Sequence, residues 1–342
     1  MKKSKKTAII ILNWNGKNLM ERFLPALIQH TPTGEVEIIV ADNDSRDESL
    51  AFLKEKYPEI TIFPFTKNHG FAGGYNRAMN GLQNEYVVLL NSDVEVTEGW
   101  LTTAVDYLDA HPDVAALQPK IVSYHKKTHF EYAGASGGYI DKYGYPFCRG
   151  RILDTLEPDK GQYDDPVEVF WASGACLFVR LKEFDAVGGL DEQFFAHQEE
   201  IDLCWRLHTR GKKVMVLPQS VIYHLGGGTL APQHPQKIFL NSRNNLLMLY
   251  KNLPQSHYNK VMFVRFFLDC LAAVSFLARR KPRQAKAILS ARRDFHRKKK
   301  HYKAVRAENL KLAAGKIPDT MYRKSILMQY YLCGKKQFQK LV

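Results

Sequence analysis

The chain has 342 residues, a formal charge of +14 and five cysteines, and 45% of its residues are hydrophobic. That apolar share excludes a disordered chain and suits two compact units or one large domain with an appendage. The cysteines, at 148, 176, 204, 270 and 333, are odd in number, widely spaced and without a C-x-x-C, which excludes a disulfide framework and a zinc knuckle and fits a reducing cytosol.

In chain order, the lysines of 1–6 and the apolar 8–12 imitate a signal peptide. Asn13, Asn15 and Gly16 stop the apolar run too early for one, so 7–13 reads as the first strand. Further strands are expected at 36–43, 59–65 and 86–91, with helices over 17–30, 47–57 and 71–82 between them. This βαβ rhythm predicts parallel strands with right-handed crossovers, a nucleotide-binding half over about 1–118 of a catalytic domain over 1–235. A helix over 98–110 leads to a strand near 114–118. Over 120–165 periodicity is lost, and the stretch reads as a substrate-facing insertion with too few apolar residues to bury. A strand over 168–179, an acidic helix over 199–210 and two short strands over 213–217 and 220–224 complete the acceptor-side half, 119–235. Beyond it, 236–342 reads as a helical extension. The expected class is α/β, a mostly parallel Rossmann-like sandwich with helices appended.

Several of these elements end in groups that carry chemistry. The run Tyr86–Leu90 reads as a strand buried on both faces, and it exits into Asn91, Asp93 and Glu95. Ligands of open α/β sheets lie at such exits. Asp93 suits a hard divalent ion completed by phosphate oxygens and water, although Asn91, Ser92 and Asp93 equally suit a turn that caps the next helix. His224, at another strand's exit, is of a type that completes a Mn²⁺ site. Asp42 and Asp44 end the second strand, where they suit either a base and ribose or an Asx turn. In the stretch 68–77, Gly70, Gly73 and Gly74 open a helix whose N–H groups can face a diphosphate, with Arg77 assisting. G-x-G-x-x-G is absent, which counts against an NAD-dependent enzyme.

Glu199, Glu200 and Asp202 crowd one turn at a helix start, where acids complement the helix dipole. Their mutual repulsion raises the proton affinity of at least one, which suits a general base. No G-x-S-x-G elbow or Ser, His and Asp arrangement points to covalent catalysis. In the tail, an apolar helix over 258–278 is interrupted by Arg265 and Asp269, four apart and able to pair on one face. The block 279–306 that follows holds thirteen Lys or Arg against one acid, Asp294, a local +12 by subtraction. Two readings stand: an interfacial helix docked on an anionic membrane surface, or a helix packed on the catalytic domain with a solvated basic face.

Taken in order, Ile9-Ile-Ile-Leu-Asn-Trp-Asn15, Val40-Ala-Asp-Asn-Asp-Ser45, the stretch 68–77, Leu90-Asn-Ser-Asp93, Ser173-Gly-Ala175 and the stretch 194–206 resemble family 2 glycosyltransferases, closest to the rhamnosyltransferase-like branch. The resemblance covers roughly the first 250 residues and implies a GT-A fold and an inverting transfer from a nucleoside diphosphate sugar. It implies Mn²⁺ or Mg²⁺ held by Asp93, the last acid of the family's D-x-D, with His224, and Asn91 in the first acid's place. It implies Glu200, with Glu199 as the alternative, as the base. Substrate contacts fall to Asn13, Asp42, Asp44, Asn68, Gly70, Gly73, Asn76, Arg77, Asn91, Asp93, Trp171, Gly174, Asp202 and Arg243, with Arg77 or Arg243 offsetting charge on the departing diphosphate. It implies a glycan or lipid-linked acceptor; the expected location is cytoplasmic, and on the docked reading of the tail the enzyme is peripheral on the inner face of the plasma membrane. A metal-dependent nucleotidyltransferase lacks its basic glycine-rich loop after the first strand. A nucleic-acid-binding protein lacks aromatic residues interleaved with the basic block.

Overall fold

The structure, a computed structural model, describes residues 5–32, 34–226 and 233–341. Its first part alternates β1 (Thr7–Asn13), α1 (Lys17–Gln29), β2 (Val36–Asp42), α2 (Ser49–Lys56), β3 (Thr61–Pro64), α3 (Gly70–Met79) and β4 (Tyr86–Leu90). Strands β4, β1, β2 and β3 lie side by side and parallel. All five residues of β4 are buried, as an unbroken Tyr-Val-Val-Leu-Leu run requires of a strand covered on both faces.

There follow β5 (Val94–Val96), α4 (Trp100–Ala110), β6 (Val114–Ser123), β7 (Gly138–Ile140), β8 (Pro146–Cys148), β9 (Arg151–Ile152), β10 (Thr155–Leu156), β11 (Val167–Glu168), β12 (Cys176–Arg180), α5 (Leu181–Ala186), α6 (Glu199–Thr209) and β13 (Lys213–His224). Strand β12 runs antiparallel between β4 and β6 and joins the two halves of one sheet. Strand β13 is parallel to β6 and antiparallel to β5. The two short strands expected over 213–224 are thus one strand, with a register break between Leu217 and Val221. Pro218 lies in that break, where a residue without an N–H cannot continue the ladder.

Side chains alternate across the sheet as the strand period of two requires. Ile10, Val87 and Leu89 join the cluster under α3 and α6, with Tyr75 and Trp205. Ile9, Ile11, Val88 and Leu90 join the opposite cluster under α1 and α4, with Leu24 and Trp100.

The stretch expected to be an insertion without a core is instead a small antiparallel sheet in the order β10, β9, β8, β7. Its missing apolar partners come from the far end of the chain: Phe147 and Ile152 pack with Ile326 and Leu341. Helices α7 (Pro235–Asn252), α8 (Gln255–Ala278), α9 (Pro282–Lys298), α10 (Lys303–Leu312) and α11 (Ile326–Tyr331) form the extension. On α8 the charged pair faces inward: Arg265 and Asp269 are buried, 3.4 Å apart, and Arg292 of α9 also bonds Asp269. Phe263, Phe267, Leu271 and Val274 stand exposed on the other side. The helix is long and apolar enough to cross a membrane by length and composition, yet one face of it is packed on the protein.

Candidate functional site

The site is built where β4 and β13 end. Strand β5, only three residues long, pairs His224 with Val94, and Leu225 N–H donates to Asp93 O at 3.0 Å. That register brings two residues 131 positions apart together: His224 Nε2 lies 3.1 Å from Asp93 Oδ1, and both side chains are buried. On the other ring nitrogen, Nδ1 lies 3.1 Å from Glu131 Oε2, a charge contact without hydrogen-bond alignment. Burial opposes a charged imidazole, but the two flanking carboxylates hold His224 up to about 10. Burial likewise pushes Asp93 up, and the hydrogen bond and charge of His224 more than offset it, so its carboxyl sits below the usual range.

Once His224 gives up the proton it shares with Asp93, this donor set would fit a divalent cation. One carboxylate oxygen and one imidazole nitrogen converge at the spacing of neighbouring ligands, with a carboxylate behind the imidazole, as at metal-bound histidines generally. Among the described residues no group of three His, Cys, Asp or Glu is arranged to hold a metal ion alone. A cation held there by Asp93 and His224 would need further ligands, which substrate phosphate and water can supply.

Beside it, Asn91 N–H donates to Ala175 O at 3.0 Å, which lays the Ser173-Gly-Ala175 segment along the exit of β4. A Cβ on Gly174 would lie 4.0 Å from the Glu200 Cβ and 3.0 Å from Phe71. Glu200 therefore packs against the segment that borders Asn91. Oε2 of Glu199 and Oε2 of Glu200 are both buried without a hydrogen-bond partner. Burial pushes Glu200 up to about 7, against backbone amides that favour its charged form. Burial, then the charge of Glu200, pushes Glu199 well above the usual carboxylate range.

Asp202 does not join them. It is fully buried on another face of α6, bonded by Arg206 at 3.0 Å, Lys251 at 2.8 Å and Asn252 at 2.8 Å. Burial raises its pKa, but these cations draw it below the ordinary value. Repulsion among three acids is thus replaced by a buried Glu199, a half-buried Glu200 whose Oε2 is buried, and one paired acid.

At the exits of β1 and β2, Asn13 and Asp42 are buried and joined, Nδ2 to Oδ2 at 2.9 Å, and Ser45 N–H bonds the other Asp42 oxygen. The side-chain oxygen of Asn13 is left without a partner. Asp44 has φ +68, the left-handed turn that Asp tolerates at modest cost. Asn68 accepts from Asn43 at 3.2 Å and from Gly70 N–H at 2.8 Å.

Six of the expected substrate contacts have other partners or places in the structure. The N–H groups at the start of α3 are taken, because Phe71 and Ala72 both donate to Phe195 O, so they do not face a diphosphate. Gly73 lies inside that helix, and Asn76 holds Leu190 through both ends of its amide. Arg77 is paired with Glu192 at 3.0 Å and bonds Gly73 O. Arg243 is buried on α7, bonded to the carbonyls of Gln193 and Phe194. Trp171 is buried with its indole N–H on Tyr139 O. Asn76, Arg77, Arg243 and Trp171 are each engaged by a backbone or charge partner.

Three residues of the site escaped the sequence. Trp14, 50% exposed beside Asn13, is a large aromatic ring left open at a strand's exit, a signal available in the sequence. Glu131 and Lys237 have none, since each reaches the site only through the fold; the charge of Lys237 acts on both Glu131 and His197.

A sandwich of this topology has the GT-A fold. Residues 8–167 match the model of Glycosyl transferase family 2. The chain is 28% identical over 225 residues to N-acetylglucosaminyl-diphospho-decaprenol L-rhamnosyltransferase of Mycobacterium tuberculosis, covering 60% of this chain and 71% of that one. Its fold is similar to that of S. aureus TarS in complex with UDP-GlcNAc (TM-score 0.54, 14% identity, 90% of this chain and 89% of that one). It is also similar to a mannosyltransferase from Pyrobaculum calidifontis in complex with GDP-Man and Mn²⁺ (TM-score 0.52, 14% identity, 92% and 87%). Over these residues the chain is similar to rhamnosyltransferase-like glycosyltransferases of family 2, and neither the nucleotidyltransferase nor the nucleic-acid reading is favoured.

Proposed function

We propose that the enzyme moves a hexosyl group, with rhamnose the first candidate, from a nucleoside diphosphate sugar to a hydroxyl of a lipid-linked glycan, inverting the anomeric centre. The observation that carries this reading is the pair of buried, unpartnered carboxylate oxygens on Glu199 and Glu200 beside Gly174, next to the strand exit that bears Asp93. Asp93 and His224 would hold Mn²⁺ or Mg²⁺, which when bound offsets charge on the departing diphosphate. Asn13, Asp42 and Asp44 lie where a base and ribose are read, and Trp14 offers a ring on which a base can stack.

The acceptor hydroxyl gives its proton to Oε2 of Glu200 as its oxygen forms the new bond to the anomeric carbon. The bond from that carbon to the diphosphate oxygen breaks, and the nucleoside diphosphate leaves with the electron pair. A carboxylate whose pKa lies near neutrality takes a proton in the transition state and returns it to water afterwards.

The extension would dock the catalytic part, 1–235, on the cytoplasmic leaflet. Tyr331 of α11 is also exposed, and the charge on Arg279, at the end of α8, acts on its phenol. An apolar helix face bordered by cations suits an anionic bilayer, where a lipid-linked acceptor resides. Screening UDP, dTDP and GDP sugars for Mn²⁺-dependent release of the nucleoside diphosphate, with Asp93→Ala as control, tests the reading. Release by that variant at the wild-type rate would overturn the cation assignment.

A further inference from the structure

We propose that Asn244, on α7 of the extension, is a positioning residue for transfer: it holds the backbone run that aims the two glutamates of α6. The inference rests on the reading of Glu200, or Glu199, as the base. Immediately before α6, Phe195, His197 and Gln198 have φ of 67, 72 and 73. None is glycine, and three side-chain-bearing residues in the left-handed region within four positions persist only where the surroundings impose them.

Asn244 supplies that imposition. Its Nδ2 lies 3.0 Å from Phe194 O, 2.9 Å from Ala196 O and 2.8 Å from His197 O. Its Oδ1 accepts from Arg243 Nε at 2.9 Å, and since a guanidinium only donates, this contact fixes which end of the amide faces the run. Neighbours on the same helix complete the hold. Asn245 donates to Gln198 Oε1 at 2.9 Å, and Gln198 Nε2 donates to Asn241 at 3.2 Å. On its far side the run serves the donor half, because Phe195 O accepts from Phe71 and Ala72 at the start of α3. Gly70, at φ +72, is required there: a Cβ would come within 2.5 Å of Phe195 O. One amide of the extension thus bears on a run shared by the base helix and a donor-side helix.

A residue that only packs the interface would alter melting and nothing else. Asn244→Ala, and Asn244→Asp as a variant of equal size that lacks the donors, are compared with wild type, Glu199→Gln and Glu200→Gln. The readouts are turnover of dTDP-rhamnose with Mn²⁺, calorimetric binding of dTDP with Mn²⁺, and amide hydrogen exchange over 194–203. For whichever Asn244 variant melts cooperatively, kcat is expected to fall about 100-fold with dTDP affinity within about threefold, the size of loss that misplaced catalytic groups produce. Exchange over 194–203 is expected to quicken, and the acid limb of the kcat profile to move. Wild-type kcat beside an inactive Glu200→Gln overturns the positioning role alone. Wild-type rates in both Glu200→Gln and Glu199→Gln overturn the base reading instead.

Discussion

The two chemical centres of this enzyme are held by different means. Asp93 and His224 meet because β5 pairs with β13 in a register that sets His224 opposite Val94, so main-chain hydrogen bonds within one sheet place both side chains. Glu199 and Glu200 sit on α6, whose preceding residues run through left-handed backbone and are gripped by side chains of α7. The proposed cation site is fixed chiefly by sheet register, and among the described residues the extension reaches it through the charge of Lys237 on Glu131. A base fixed by side chains from a separate helical layer would depend on that layer being seated, and on the proposed role of Asn244 the extension would serve catalysis as well as support.

The sharpest way to break this comparison is to disable each centre alone. Glu200→Gln keeps the shape and removes the proton acceptor; transfer is expected to fall about 10³-fold, the weight of a general base, in a single-turnover assay that leaves donor binding intact. If the variant transfers normally, the base is Glu199. Asp93→Ala removes the carboxylate at the sheet exit, and a loss of about 10²-fold in Mn²⁺-dependent turnover is expected, as for one electrostatic stabiliser of a transition state.

The pH response separates the centres more gently. Because burial lifts Glu200 to about 7, transfer is expected to rise as pH climbs through 7, as the base loses its proton. Stability runs the other way. With a folded pKa above the unfolded one, Glu200 contributes stability fully below about pH 4.3, and that contribution is lost as pH rises through about 7. Glu200→Gln is therefore expected to melt several degrees above wild type at pH 8 and alongside it at pH 4, read by calorimetry. Equal melting at pH 8 would mean that Glu200 is charged there at no cost.

The smallest expected effect on chemistry, and the largest on location, comes from the outer face of α8. Substituting Phe263→Asp and Phe267→Asp together should abolish flotation with vesicles containing phosphatidylglycerol and leave donor hydrolysis in solution unchanged. Undiminished flotation would remove the docking surface. Substitution is preferable to deleting the helix, because Arg265 bonds Asn245, which in turn holds Gln198, so deletion would disturb the base.

These differences in construction decide what the sequence discloses. The βαβ rhythm and the exit of β4 are local, and apolar periodicity with a polar stop reveals both. Strand β5 is three residues long, too short to stand out, yet it is what brings His224 to Asp93. The small sheet over β7 to β10 looked coreless because Ile326 and Leu341, which fill it, lie near the chain's other end. Asp202, Arg243 and Trp171 carry the residue types of a substrate site and are each consumed by a buried partner. Nothing in local spacing distinguishes a carboxylate facing a cleft from one facing a lysine 49 positions away.

The most direct test of the division of labour is calorimetric titration of dTDP with Mn²⁺ into Asp93→Ala and Glu200→Gln. Glu200→Gln is expected to bind like wild type, and Asp93→Ala to bind at least tenfold more weakly. Weak binding by Glu200→Gln with wild-type binding by Asp93→Ala would contradict the assignment of the two centres.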